Sequence, residues 1–307
     1  MISQKQVSWD EILPYLKVTF SVVVWGASFI ATKIALMDMQ PVTVVWVRFA
    51  IGVLILGIVV LVRKQFKLPK RSEILYFIVL GFLGITFHQW LQSTGLVISK
   101  ASTTAWIVAT TPLFIAMLSW IFLREKLNWA QIAGIGLATI GVLLVLNEGD
   151  ISSLSIGEFG NYGDFLILIS AINWAVFSVI SRRGLENHPA ALMMFYVMAA
   201  GWLMISIPFF TGTGVNDLQS ISFSSLLGVL FLGIFCSGIA YIFWYDALKS
   251  IPASQVGVFL YLEPLIAVIL AAYLLGENIY LASLIGGILI LIGVWRVNKY
   301  STNERNA

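Results

Sequence analysis

The sequence predicts an all-α polytopic membrane protein, with ten transmembrane helices arranged as two inverted five-helix repeats. Three observations predict it. Hydrophobic residues make up 59% of the 307 residues and charged residues only 11%, against about 25% charged in soluble domains. Ten apolar runs each approach the roughly 20 residues a helix needs to cross a hydrocarbon layer of about 30 Å. The two halves also repeat short elements in the same order. A soluble globule of this size could not cover its surface with so few charges. The net charge of +3 is too small for a phosphate-binding surface, so no nucleic acid is expected as a partner. The expected partners are the lipid bilayer and a small-molecule substrate.

The runs fall, in order, at residues 14–36, 42–62, 74–97, 103–123, 129–146, 163–181, 190–210, 224–248, 254–275 and 280–297. The longest connections, 147–162 and 211–223, contain no Lys or Arg and read as linkers. The first run is expected to stay in the membrane. Residues 1–15 carry Asp10 and Glu11 and lack the short apolar stretch and cleavage site of a signal peptide. With the N-terminus in the cytoplasm, 15 of the 18 Lys and Arg fall on the cytoplasmic side, leaving Lys33 and Lys100 outside and Arg48 within a span. That bias predicts two cytoplasmic termini in a bacterial inner (plasma) membrane. The lone Cys236 makes no internal disulfide, and one Cys with two His offers no zinc pattern. No cofactor and no metal are expected.

The repeat shows in offsets. Residues 25–33 match 174–182, pairing Trp25 with Trp174 and Lys33 with Arg182, and Leu83-Gly84-Ile85 matches Leu232-Gly233-Ile234, both at an offset of 149. Beyond the third run the offset becomes 152, pairing Ala101-Ser102 with Ala253-Ser254, Pro112 with Pro264, Glu125 with Glu277, Gly134 with Gly286 and Gly141 with Gly293. Five runs per half is an odd number, so the second copy enters from the opposite face. Inverted repeats of this kind point to alternating-access transport around a site near the midplane. The units are residues 14–147 and 163–297, followed by a cytoplasmic tail at 298–307.

These elements resemble the drug/metabolite transporter superfamily, EamA-type. The resemblance is carried by Trp25-Gly26-Ala27-Ser28-Phe29, Arg48-Phe49, Pro112 and Pro264, Leu123-Arg124-Glu125 and Leu275-Gly276-Glu277, and the Gly-rich fifth and tenth runs. It implies a carrier exporting amino acids, nucleobases, sugars or toxic compounds, without naming the cargo.

Candidate residues follow in chain order. Trp25 and Trp174, as repeat mates, would face each other across a central space, with Asn173 a rare polar group beside Trp174. Lipid-facing packing is the alternative for each Trp. Arg48 could hold a substrate carboxylate, but its place in a family motif argues more for a structural role. On the third run His88 and Gln92 stand four apart and share a face, and His88 can titrate near neutral pH. Gln89 and Trp90 lie between them. Trp106 lies six residues before Pro112 in the fourth run. Pro112 and Pro264 break helices at matching depths, as hinges or packing kinks. On the eighth run Tyr241, Trp244, Tyr245 and Leu248 follow one helical face. Tyr241 is assigned to the cavity and Tyr245 to the interfacial belt, with Asp246 expected to pair with Lys249. Glu263 costs about 2.5–3.5 kcal/mol if unpaired at that depth, so it is expected to be paired, hydrated or protonated, and suits a proton carrier. His188 is expected to be a solvated loop residue. The Gly134/Gly141 and Gly286/Gly293 stripes are read as close helix packing or a dimer contact, and the oligomeric state stays open.

The substrate-binding set is thus Trp25, His88, Gln92, Trp106, Asn173, Trp174, Tyr241 and Glu263, with Arg48, Pro112 and Pro264 as structural or hinge residues. The expected function is secondary-active export of small metabolites, amino acids or related amphipathic compounds. There is no Gly-rich phosphate loop for ATP drive. A membrane-embedded transferase would need clustered carboxylates or a nucleophile with its base, and the spans hold no Asp-rich cluster, H-E-x-x-H or G-x-S-x-G, so the chain is not expected to be an enzyme. A channel would need a polar stripe along a whole pore.

Overall fold

A computed structural model describes residues 9–123, 129–146, 160–250, 256 and 259–305. Every regular element among them is helical. In chain order they are α1 (Trp9–Ala35), α2 (Pro41–Val62), α3 (Arg71–Ile98), α4 (Ala101–Val108), α5 (Thr111–Leu123), α6 (Trp129–Leu146), α7 (Tyr162–Asn187), α8 (Ala190–Thr211), the single turn α9 (Gly214–Asp217), α10 (Phe223–Leu248), α11 (Leu262–Leu275) and α12 (Leu281–Arg305). Among the described residues seven helices are long and apolar enough to cross a membrane, and three shorter apolar helices, Ala101–Ile115, Leu262–Leu275 and Leu281–Arg296, accompany them. The seven long helices and the three shorter ones fall, in order, on the ten expected runs. The 147–162 linker lies outside the described residues over 147–159, as do the 124–126 turn and the start of the expected ninth run.

The expected fourth run is two helices, α4 and α5, joined at Ala109–Thr110. The reason is local. Pro112 has no N–H to give an upstream carbonyl and sits at the second residue of α5, where a helix leaves its N–H groups unbonded anyway. The hydroxyls of Thr110 and Thr111 donate to the carbonyls of Ile107 and Val108 at 2.6 and 2.7 Å. Polar groups freed by the break are thereby satisfied inside the protein, as a low-dielectric surrounding demands. Pro264 occupies the matching place, in the first turn of α11 after a turn at Leu260–Tyr261.

Two other helices widen. α3 passes through a π-helical stretch at Phe82–Phe87 and α10 through one at Leu232–Ile239. Both contain the triplets paired by the 149-residue offset. A π turn frees carbonyls, and neighbouring helices supply donors. Asn173 Nδ2 donates to the Leu83 carbonyl at 2.6 Å, and Trp25 Nε1 to the Cys236 carbonyl at 3.1 Å.

Glycines set how closely helices approach. A Cβ on Gly141 would stand 2.5 Å from the Gly286 carbonyl, and one on Gly293 would stand 2.5 Å from the Gly134 carbonyl. The two pairs run in opposite directions along the chain, so α6 and α12 lie antiparallel with backbones in contact. Both stripes are packing inside the chain. The main core joins α2, α3, α7, α8 and α10 through residues such as Phe49, Leu80, Phe177, Met194 and Tyr241. Large apolar side chains such as Leu54, Ile58, Leu203, Ile207 and Ile269 cover the outside, a surface suited to lipid rather than water.

Polar knots tie the helix ends. Asp246 receives Lys17 at 3.0 Å and a forked pair from Arg63 at 2.9 and 3.0 Å. Its described partners come from α1 and α2, whose cationic groups converge on it, while the side chain of the expected partner Lys249 lies outside the described residues. His188 is not a solvated loop residue: its Nε2 lies 3.2 Å from Glu73 and its ring rests near Phe77. At the other end Asp217 accepts from Gln40 N–H at 2.8 Å and from Thr43 at 2.5 Å. α12 continues to Arg305, into the residues of the expected tail.

Candidate functional site

Arg48 is the centre of the polar interior. α2 is apolar along its length, so its guanidinium must turn inward, and it is only 5% exposed. Its Nη1 donates to Gln89 Oε1 on α3 at 3.0 Å and its Nε to Ser237 Oγ on α10 at 3.1 Å. Among the described residues no carboxylate pairs with it. A cation desolvated this deeply without a counter-charge is costly, so the surrounding dipoles and any bound anion matter to it.

Aromatic rings surround this group. Trp25 lies 5.5 Å from Tyr241 and 5.2 Å from Trp244, and Tyr241 lies 6.5 Å from Tyr245. Tyr245, expected in an interfacial belt, is partly buried and packs against the main core beside Tyr241. Across the site the His88 ring lies 4.7 Å from Trp174, which lies 4.8 Å from Phe177. His88 Nδ1 is 3.1 Å from the Ser170 carbonyl. A carbonyl only accepts, so Nδ1 carries the hydrogen, and a neutral ring keeps Nε2 as an acceptor.

Glu263 stands in the first turn of α11, at the break. It is half-buried, and among the described residues its carboxylate has no hydrogen-bond or ion-pair partner. Gly26 is what lets α1 approach this break: a Cβ there would stand 2.7 Å from the Glu263 carbonyl oxygen. Gly26 neighbours Trp25, whose ring packs on Tyr241 and whose Nε1 reaches the Cys236 carbonyl, next to the Ser237 that Arg48 holds. A cation and a carboxylate, unpaired with each other, therefore flank one aromatic-lined region.

The predicted residues do not all meet here. Trp25, Trp174, His88, Tyr241, Arg48 and Glu263 are brought to this region. Trp106 is only 2% exposed and packs in a separate cluster with Leu113, Val268 and Ile290, its indole lying over Gly287 of α12. Asn173 spends its amide on the α3 backbone. Gln92 is half-buried, and it is Gln89 that meets Arg48. Gln89 and Ser237 were absent from the predicted set. One signal was in the sequence: the 149-residue offset pairs His88 with Ser237.

A family model described as the EamA-like transporter family matches residues 13–147 and again 161–299. The chain belongs to the EamA-like transporter family. An "uncharacterized transporter" of Archaeoglobus fulgidus is 28% identical over 281 residues, covering 92% of this chain and 96% of its own length. The transporter YyaM of Bacillus subtilis is also 28% identical, over 92% of this chain and 94% of its own. A probable terminal-alkyne amino-acid exporter of Streptantibioticus cattleyicolor is 24% identical, over 93% of both chains. One crystal structure superposes with a TM-score of 0.66 at 21% identity, covering 94% of this chain and 98% of that one. That likeness is one of fold. As an EamA-like family member, this chain is an integral membrane transporter.

Proposed function

We propose that this EamA-like protein is a secondary-active exporter of small amphipathic metabolites of the amino-acid kind, working by alternating access. The observation that carries the reading is the region flanked by Arg48 and Glu263 and lined by Trp25, Tyr241, Trp174 and His88, beside two interrupted helices. An amphipathic solute with a carboxylate matches Arg48, and an ammonium or aromatic part matches the rings and Glu263. The amino-acid exporter of Streptantibioticus cattleyicolor is in keeping with this class of cargo.

The architecture proposed is ten passages, as inverted repeats at 14–147 and 163–297. Paired contacts support it. α3 packs on α7, and their repeat mates α10 and α1 pack on each other, each pair through its own small residues, Gly95 with Gly163 and Gly228 with Ala31, which are not themselves repeat mates. His88 meets the Ser170 carbonyl, while Cys236 of α10 meets the Val24 carbonyl of α1. Both termini are placed in the cytoplasm of a bacterial inner membrane by the distribution of Lys and Arg. Purified protein in proteoliposomes, loaded with one amino acid and diluted into labelled solute, tests the function. Saturable uptake with counterflow is the expected result, and the absence of counterflow across a panel of amino acids and related compounds would remove the reading. Under an imposed pH gradient, Glu263→Gln is expected to lower uptake about tenfold or more at unchanged thermal stability, which is about 1.4 kcal/mol of lost coupling. Equal uptake by the variant would take Glu263 out of the site.

A further inference from the structure

The strongest unassigned constellation lies away from this region, where the end of α11 meets the start of α4. Lys100, which precedes α4, offers no side-chain cap, so the first amides of that helix need acceptors from elsewhere. Glu277 supplies them from the second half of the chain. Its carboxylate accepts from the Ala101 amide at 2.7 Å, from the Ser102 amide at 3.1 Å and from the Ser102 hydroxyl at 2.6 Å. Lys33, at the end of α1, stands 3.8 Å away. The Glu277 side chain is 8% exposed. Gly276 makes this possible: its φ of 64° is left-handed backbone that ends α11 and turns the chain so that Glu277 follows directly.

One carboxylate thus joins α1 and α4 of the first half to α11 of the second. Charge-assisted bonds to a helix N-terminus are strong, and all of them run to one side chain, so the polar part of the join depends on that carboxylate alone, beside an apolar part made by Ala101, Ala105, Ala267 and Ala271. Behind it the cleft lined by Lys100, Ser102, Thr103, Trp106, Val268 and Tyr280 holds about 10 Å³, room for about one water and no metabolite. No passage wide enough for a metabolite opens at that cleft. The sequence repeat carries a second, independent observation. Each part of this join has a mate in the other half: Glu125 for Glu277, Ala253-Ser254 for Ala101-Ser102 and Arg182 for Lys33. Glu125, Ala253 and Ser254 lie outside the described residues, as does the side chain of Arg182. The duplication of the whole unit doubles packing contacts such as the Gly134/Gly286 stripe as well, so the pairing fits a gate on each face without by itself requiring one.

We infer that Glu277, with Ser102 and Lys33, is the releasable latch of the gate on the face opposite the N-terminus, and that this face opens only when the latch parts. The inference rests on the transport reading above, but its test does not need a transported compound. Thr103→Cys places a thiol at a position now 9% exposed behind the latch, and the native Cys236 is fully buried. Labelling by an impermeant maleimide is timed with the protein in nanodiscs. Adding Glu277→Gln is expected to speed labelling of the Thr103→Cys thiol about tenfold or more, and adding Ser102→Ala to speed it less. A Val145→Cys reporter, fully buried between α6 and α12, is expected to stay protected in both backgrounds, which separates gate opening from unfolding. If Glu277→Gln exposes the Val145→Cys thiol as well, Ser102→Ala decides alone. Unchanged labelling of Thr103→Cys in the folded variants overturns the latch. Faster labelling without counterflow of any compound leaves the latch standing and removes the cargo assignment instead.

Discussion

Arg48 decides more than any other side chain in the interior. Its two hydrogen-bond partners come from different helices, so its removal leaves Gln89 and Ser237 without it at once. Arg48→Met is expected to cost about 1–3 kcal/mol of stability, seen as a lower melting temperature in detergent, and to abolish counterflow in the protein that remains folded. Retained counterflow would leave Arg48 with the structural role alone, the one its Arg-Phe motif suggested. His88 gives a narrower expectation. His88→Ala removes the Nε2 acceptor and the ring beside Trp174, so the substrate KM should rise, with little change in melting temperature. Asp38 belongs to the same scale outside the membrane. The hydroxyl and amide of Ser222 donate to its carboxylate, which holds it below its ordinary value of 3.8. A depressed carboxyl stabilises the folded state above that ordinary value and loses its contribution as pH falls through the lower, folded-state one. The Ser222 amide should therefore exchange hydrogen faster below about pH 4 relative to its neighbours, and Asp38→Asn should remove that dependence.

Among the elements, the interrupted passages and the glycine seam make opposite predictions. Pro112 and Pro264 sit where a helix begins and lose no hydrogen bond there. Pro112→Ala and Pro264→Ala are therefore expected to leave melting temperature nearly unchanged or slightly raised. They restore an N–H that can carry helix across the break, so counterflow should fall. Normal counterflow in both would deny the breaks a part in the cycle. The seam between α6 and α12 has no such tolerance. Gly141→Leu forces carbons into a space where even a Cβ would stand 2.5 Å from the Gly286 carbonyl. Overpacking of this kind costs about 1–3 kcal/mol, read as a loss of folded protein on heating, with the surviving fraction still active. The π stretches are a third kind of element, since each depends on a donor from another helix. Asn173 serves that need for α3, and its role is legible only once both helices are placed.

At the scale of the whole molecule, reporter tags on the two termini should both report the cytoplasm, and tags on opposite faces would break the inverted repeat. Composition and the length of apolar runs determined the all-helical membrane class, because the cost of bare backbone polar groups in lipid leaves few alternatives. The offsets of 149 and 152 determined which residues correspond, down to the two π stretches and the paired glycines. They also pair Glu277, Ser102 and Lys33 with Glu125, Ser254 and Arg182, though nothing in the sequence alone says that Glu277 reaches Ser102. Spacing along a single regular helix selected Gln92 beside His88. His88 and Gln92 do lie on one regular stretch of α3, but it is Gln89, beside His88, that tertiary packing places on Arg48. Trp106 fails for a related reason: its depth was readable, but the bare Gly287 that receives its ring lies on another helix. Local chemistry fixes what a residue can do. Only the close approach of helices distant in sequence decides which groups must share a desolvated space, and hence which charges, rings and hydroxyls act together.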